Sequence, residues 1–183
     1  MIQEYQEDIQ SDFEGTIIDI ETIGRFNQLY RYTNDVREYE YIQQVIFGSI
    51  DRYALRILYV QDTSEIMELN ERVATVIDSL LRPFYAFNTS FETGVLYFGL
   101  GEELYFDGEL QDEKFEAKAD AVRKLGIPNY DDPFYDKGIM CMHAWESGQY
   151  DTAIAHNRAC LLKERDILLK RGSREPDELV FVR

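Results

Sequence analysis

Cysteine is scarce: Cys141 and Cys160 are the only two in 183 residues. Two thiols so far apart give no disulfide framework and no zinc-ligand spacing, so a reducing, cytoplasmic setting is expected. Positive charge is scarce too, with 19 Lys and Arg against 35 Asp and Glu, a formal net charge of −16. That argues against a chain held to DNA or an anionic membrane by its overall charge. A local basic stripe, or an acidic site neutralised by metal ions, remains compatible with it. No basic residue precedes Arg25, so the opening segment does not read as a signal or transit peptide. No apolar run approaches the ~18 residues of a membrane-spanning helix, so no membrane is expected among the partners. The composition, 45% apolar and 14% aromatic, excludes a disordered chain. One domain over residues 1–183 is expected, with 1–12 a loose acidic lead-in and 173–183 a tail.

The apolar run 15–20, rich in β-branched residues, predicts a buried strand. Segments 41–50 and 53–60 predict a hairpin closed by Asp51 and Arg52. Helical spacing of Ile66, Leu69, Val73, Val76, Ile77 and Leu80 predicts a helix that Pro83 stops. Asp62 and Glu65 before it have capping-box spacing. A short strand over 84–87, a helix over 90–98 and a further strand over 104–110 follow. Helices over 113–125, 139–146 and 151–171 complete the chain, the first ended by Gly126 and the last by Gly172. Strands linked through helices imply parallel neighbours, and the hairpin implies an antiparallel portion. The expected fold is therefore α/β, a mixed sheet covered by helices on both faces.

Asp19 and Glu21 end the first strand two residues apart, which puts both carboxylates on one face. Two such anions repel unless a cation lies between them, and hard oxygen ligands suit Mg²⁺ or Mn²⁺. The segment Ile17-Ile18-Asp19-Ile20-Glu21-Thr22-Ile23-Gly24 resembles the first motif of the DEDD family of 3′–5′ exonucleases, which have the RNase H-like fold. Asn88-Thr89-Ser90-Phe91-Glu92 is similar to the second motif, Asn-x-x-Phe-Asp, with Glu for Asp. His156-Asn157-Arg158-Ala159-Cys160 resembles the third, in which a Tyr or His precedes a metal-binding Asp by four or five residues.

The resemblance implies hydrolysis of phosphodiesters at single-stranded DNA or RNA ends. Two divalent ions about 4 Å apart would do this chemistry. Asp19, Glu21 and Glu92 would be metal ligands and His156 the base. Thr22, Asn88, Phe91 and Arg158 would contact the substrate. The pattern departs at its end: Cys160 and Leu161 stand four and five residues after His156, so the fourth acid is missing. Asp166 is ten residues on, roughly 15 Å along a helix, and cannot replace it. A thiol is a poor partner for Mg²⁺. A second expectation is therefore a non-catalytic RNase H-like module that binds nucleic acid or protein. A third is a metal-dependent phosphoesterase on short substrates. Residues 158–174 hold six basic residues and two acids, a stripe suited either to phosphates or to a solvated helix end. Trp145, Tyr130 and Tyr135 are candidates for base stacking or for ordinary packing.

Overall fold

A computed structural model describes residues 1–181. The strands are β1 (Gln3–Asp8), β2 (Thr16–Gly24), β3 (Ile42–Ile50), β4 (Ala54–Tyr59), β5 (Phe84–Ala86) and β6 (Gly108–Glu109). The helices are α1 (Ile66–Ile77), α2 (Thr89–Leu100), α3 (Lys118–Leu125), α4 (Gly138–Glu146) and α5 (Tyr150–Arg171). They build an α/β structure on one six-stranded sheet of order β1-β4-β3-β2-β5-β6. β1–β4, β4–β3 and β3–β2 are antiparallel, while β2–β5 and β5–β6 are parallel. No helix among the described residues is long and apolar enough to cross a membrane.

The core lies at the sheet centre, where β2 and β3 are flanked by strands on both sides. Ile17, Ile18, Ile46 and Ile50 are fully enclosed. From Gln44 to Ile50 every residue of β3 is buried, so both faces are covered. α5 crosses β2, β3 and β4, with α3 and α4 packed on it, while α1 and α2 pack together and onto the sheet. Gly48 of β3 sets how closely α5 approaches. A Cβ there would come within 2.2 Å of Asn157 Oδ1 and 2.8 Å of Leu161 Cδ1. Any larger residue would push α5 off the strand.

Several boundaries differ from expectation. Residues 3–8 are not a loose lead-in but an edge strand in register with β4, Gln3 opposite Tyr59 and Asp8 opposite Ala54. Its side chains are too polar to announce a strand. The ladder holds it, and the Arg158 guanidinium clasps Glu7 through two hydrogen bonds of 2.6 and 2.8 Å. The hairpin turn spans residues 51–53, where the Asp51 carboxylate accepts from the Tyr53 and Ala54 N–H groups. Helix formation after residue 113 waits until Lys118, because Phe115 takes a left-handed φ of 70° and the Glu116 carboxylate accepts from the Asp112 N–H. The strand expected at 104–110 shrinks to Gly108–Glu109. Asp62 caps a short 3₁₀ turn before α1, accepting from the Ser64 N–H. The tail is tied down: Arg174 pairs by backbone with Glu109, and Val180 with Asn34 and Val36.

Candidate metal centre and its cavity

β2 delivers two acids at its C-terminal end. Asp19 and Glu21 share a face, and a register shift between Glu21 and Thr22 re-aims the strand end so that Thr22 joins them at the same opening. α2 adds the next group. The Asn88 side chain caps it by accepting from the Phe91 N–H at 3.2 Å, which places Glu92 in the first turn. α5 brings His156 from the other side. These residues line one cavity of about 640 Å³, together with Phe26, Phe91, Lys118, Asp136, Met142 and Cys160. Asp19, Glu21, Thr22, Asn88, Phe91, Glu92 and His156 are thus brought together. Arg158 is not: it faces β1 and Glu7. The rest of the basic stripe is also engaged, apart from Lys170. Lys163 pairs with Asp132 and Asp136, Arg165 with Asp166, Arg171 with Glu116, and Arg174 with Asp177. Trp145 packs inward, donating its indole N–H to the Val60 carbonyl.

Charge in this cavity is unusually concentrated for buried space. Glu92 is 4% exposed and its Oε2 has no hydrogen-bond partner. Burial, then the Asp19 charge, push its carboxyl well above the usual range. Burial also pushes Glu21 up to about 7. One cation is built in. Lys118, at the start of α3, puts Nζ 2.9 Å from Asp19 Oδ1 and 2.5 Å from Oε1 of the enclosed Glu164. The contact to Glu164 is an ion contact without hydrogen-bond geometry, and burial holds that carboxyl well above its ordinary range. Asp19 is thus the main anchor of the ammonium. Burial alone would lower the Lys118 pKa, but Asp19, followed by Cys160 and Glu164, outweighs it and raises it. Asn157 Nδ2 donates to Asp19 Oδ2 at 2.7 Å and to the Asp19 carbonyl at 3.1 Å.

His156 is fixed from behind. Asp132, in the loop before α4, accepts from Nδ1–H at 2.7 Å and also from Lys163 Nζ at 2.7 Å. Burial would raise Asp132, but hydrogen bonds from His156 and Lys163 hold it well below the usual carboxylate range. It stays ionised and can only accept, so Nδ1 carries a proton and Nε2 is the ring nitrogen that faces the cavity. Burial would lower His156, but Glu21 and Asp132 reverse that and raise it. Nε2 lies 3.6 Å from Glu21 Oε1 and 3.6 Å from Cys160 Sγ. Among the described residues, two trios of possible ligand atoms lie within 4.8 Å of one another: Glu21, His156 and Cys160, and Asp132, Asp136 and Cys160. Asp19 and Glu92 belong to neither.

Lys118, Asp132, Asn157, Lys163 and Glu164 were invisible as site residues from motif spacing. A signal for three of them does exist. Positions 156, 157, 160, 163 and 164 recur at helical spacing, so α5 carries a polar stripe where it should be apolar, and all five are buried. Lys118 and Asp132 reach the site through tertiary folding and leave no local pattern.

The raised Glu21 carboxyl has a consequence for stability. Its folded-state pKa lies above the unfolded value, so its contribution is fully present below about pH 4.5 and is lost as pH rises through about 7. The metal-free protein should therefore be less stable at pH 8 than at pH 5. Glu21→Gln should flatten that decline by on the order of 2–3 kcal/mol. Urea unfolding at the two pH values reads this directly, and an equally steep decline in the variant would place the titrating group elsewhere.

Comparison with protein-family models, curated proteins and solved structures returns no match.

Proposed function

We propose that the chain is an RNase H-like, divalent-metal-dependent hydrolase that removes nucleotides from the 3′ ends of single-stranded DNA or RNA. One observation carries this reading. Three separate segments, around residues 19–22, 88–92 and 156, supply the walls of a single cavity, and each segment resembles a motif of the DEDD exonucleases in chain order. The mixed sheet supports it, with an antiparallel hairpin and parallel strands beside the acid-bearing β2.

The donor set suits a hard cation. Glu92 Oε2 is buried without a partner, and Glu21 and Glu92 are crowded into low dielectric; both costs fall when an ion arrives. Asp19, Glu21 and Glu92 would hold Mg²⁺ or Mn²⁺. The set fits one ion better than two, because the Lys118 ammonium already answers the Asp19 charge and Cys160 offers sulfur where a fourth acid would stand. When bound, the ion polarises the phosphate and lowers the pKa of water. His156 Nε2, its other nitrogen committed to Asp132, faces the cavity where it would accept a proton from an attacking water. Lys118 is placed to offset charge on a phosphate oxygen. Phe91, edge-on to Phe26 with centroids 6.2 Å apart, gives the terminal base an apolar wall.

The test is turnover of 5′-labelled single-stranded DNA and RNA oligonucleotides with Mn²⁺ and with EDTA. A ladder of products shortened from the 3′ end is expected in Mn²⁺ alone. It should fall at least 100-fold in Asp19→Asn, since that change removes the ligand charge with little change of shape. Undiminished turnover in the variant would move the chemistry off this cavity. The Lys118–Asp19 pair also favours a second reading, in which the site is neutralised by its own lysine and the domain binds strands without cutting them. Tight, metal-independent binding of the same oligonucleotides by fluorescence anisotropy, with no ladder, would select it.

A further inference from the structure

We propose that Glu21, His156 and Cys160 form a binding site for a thiophilic divalent ion of the Zn²⁺ type, opening onto the cavity and sharing only Glu21 with the hard-cation set of Asp19, Glu21 and Glu92. Carboxylate oxygen, imidazole nitrogen and thiolate sulfur make up a zinc donor set, and three protein ligands with one open position match zinc sites that keep a place for water.

The distances favour it. Zinc bonds of about 2.0 Å to nitrogen and 2.3 Å to sulfur, at a tetrahedral angle, separate the two ligands by ~3.5 Å. The observed Nε2 to Sγ separation is 3.6 Å, and Nε2 to Glu21 Oε1 is also 3.6 Å. Both separations from Nε2 are those an ion would impose, and the Cys160 sulfur lies within 4.8 Å of a Glu21 carboxylate oxygen. Cys160 and His156 are four residues apart on α5 and share a helix face. Glu21 comes from β2, so the site is assembled by the fold. Chain spacing does not reveal it, which is why the cysteines showed no zinc pattern.

A second observation concerns groups outside the trio. Asp132 accepts from His156 Nδ1–H at 2.7 Å, and Lys163, itself fully buried, anchors Asp132 at 2.7 Å. A carboxylate behind the distal nitrogen orients the ring and aims Nε2 at a metal, as in carboxylate–histidine–zinc triads. The neighbouring trio of Asp132, Asp136 and Cys160 does not compete as a site. Its two acids are already satisfied by the Lys163 ammonium at 2.7 and 2.8 Å. Binding at Glu21, His156 and Cys160 forms a metal–sulfur bond and releases the Cys160 thiol proton to solvent. Because Glu21 belongs to both sets, Zn²⁺ and Mn²⁺ compete for its carboxylate.

Titration of the metal-free protein with Co²⁺, followed by absorbance, tests this. One equivalent should produce a thiolate-to-cobalt charge-transfer band with intense tetrahedral visible bands, and Zn²⁺ should displace both. Cys160→Ser should abolish the charge-transfer band, Cys141→Ser should keep it, and His156→Gln should weaken Co²⁺ binding 10–100-fold. Asp19→Asn should retain the band. Absence of the band in the wild-type protein, a measurement that needs no variant to fold, overturns the proposal. Its persistence in Cys160→Ser does the same. A protein that shows the band yet takes up no Mn²⁺ keeps the zinc site and loses the hydrolase reading, so the two failures are distinguishable.

Discussion

Asp132→Asn should destabilise the protein by about 3–5 kcal/mol, the range for breaking a buried ion pair from one side. The Asp132 carboxylate accepts four hydrogen bonds: from His156 Nδ1, Lys163 Nζ, and the Phe134 and Asp136 N–H groups. Asparagine keeps one acceptor oxygen and turns an NH₂ group toward donors. Lys163 has no exposed surface, so it cannot recover the loss from water; Asp136 at 2.8 Å is its remaining carboxylate. The loop before α4 loses one of its two turn bonds to this side chain at the same time. Urea unfolding measures the loss. Lys163→Met in the same background should restore part of it, because the unpaired buried charge is then gone. A single variant within about 0.5 kcal/mol of wild type would show that the network is not holding the loop.

Lys118→Met should cost the metal-free protein about 3–4 kcal/mol and make its stability strongly dependent on Mn²⁺. The ammonium is the cation nearest Asp19, and methionine fills similar space without charge. Asp19 would be left 5% exposed, with the Asn157 amide as its hydrogen-bond donor. An ion bound at Asp19 takes over the lysine's electrostatic role. At a concentration 100 times its dissociation constant it returns about 2.7 kcal/mol. Unfolding in EDTA and in Mn²⁺ separates the terms. A variant as stable as wild type in both would mean that Lys118 is a dispensable surface pair and does not hold the site.

Legibility varied with how local each cause was. α1 could be read because its apolar residues repeat every three or four positions and bury one stripe: Ile66, Leu69 and Val73. β3 and β4 could be read from their apolar, β-favouring segments on either side of a short polar turn. β1 could not, since Gln3–Asp8 has one apolar side chain, Tyr5, and owes its conformation to the β4 ladder. α3 starts at Lys118, later than the sequence pattern predicts, because Phe115 and Glu116 take up non-helical contacts that no propensity encodes. In the cavity, the acids of β2 and α2 were visible because they sit at a strand end and a helix start, where short motifs carry meaning. The lysine that counters them lies 99 residues from Asp19 in the chain, and the aspartate that orients His156 lies 24 residues before it. Such pairs exist only after folding. Arg158 shows the reverse error: placed by motif at the substrate, it serves instead to tether the edge strand.

The hydrolase proposal requires this cavity to hold a divalent cation on Asp19, Glu21 and Glu92. Calorimetric titration of the metal-free protein with Mn²⁺ tests it most directly. The expected result is saturable uptake of one ion per chain, at least tenfold tighter in Lys118→Met and lost in Asp19→Asn. No heat of binding up to millimolar Mn²⁺ in either wild type or Lys118→Met would contradict the claim.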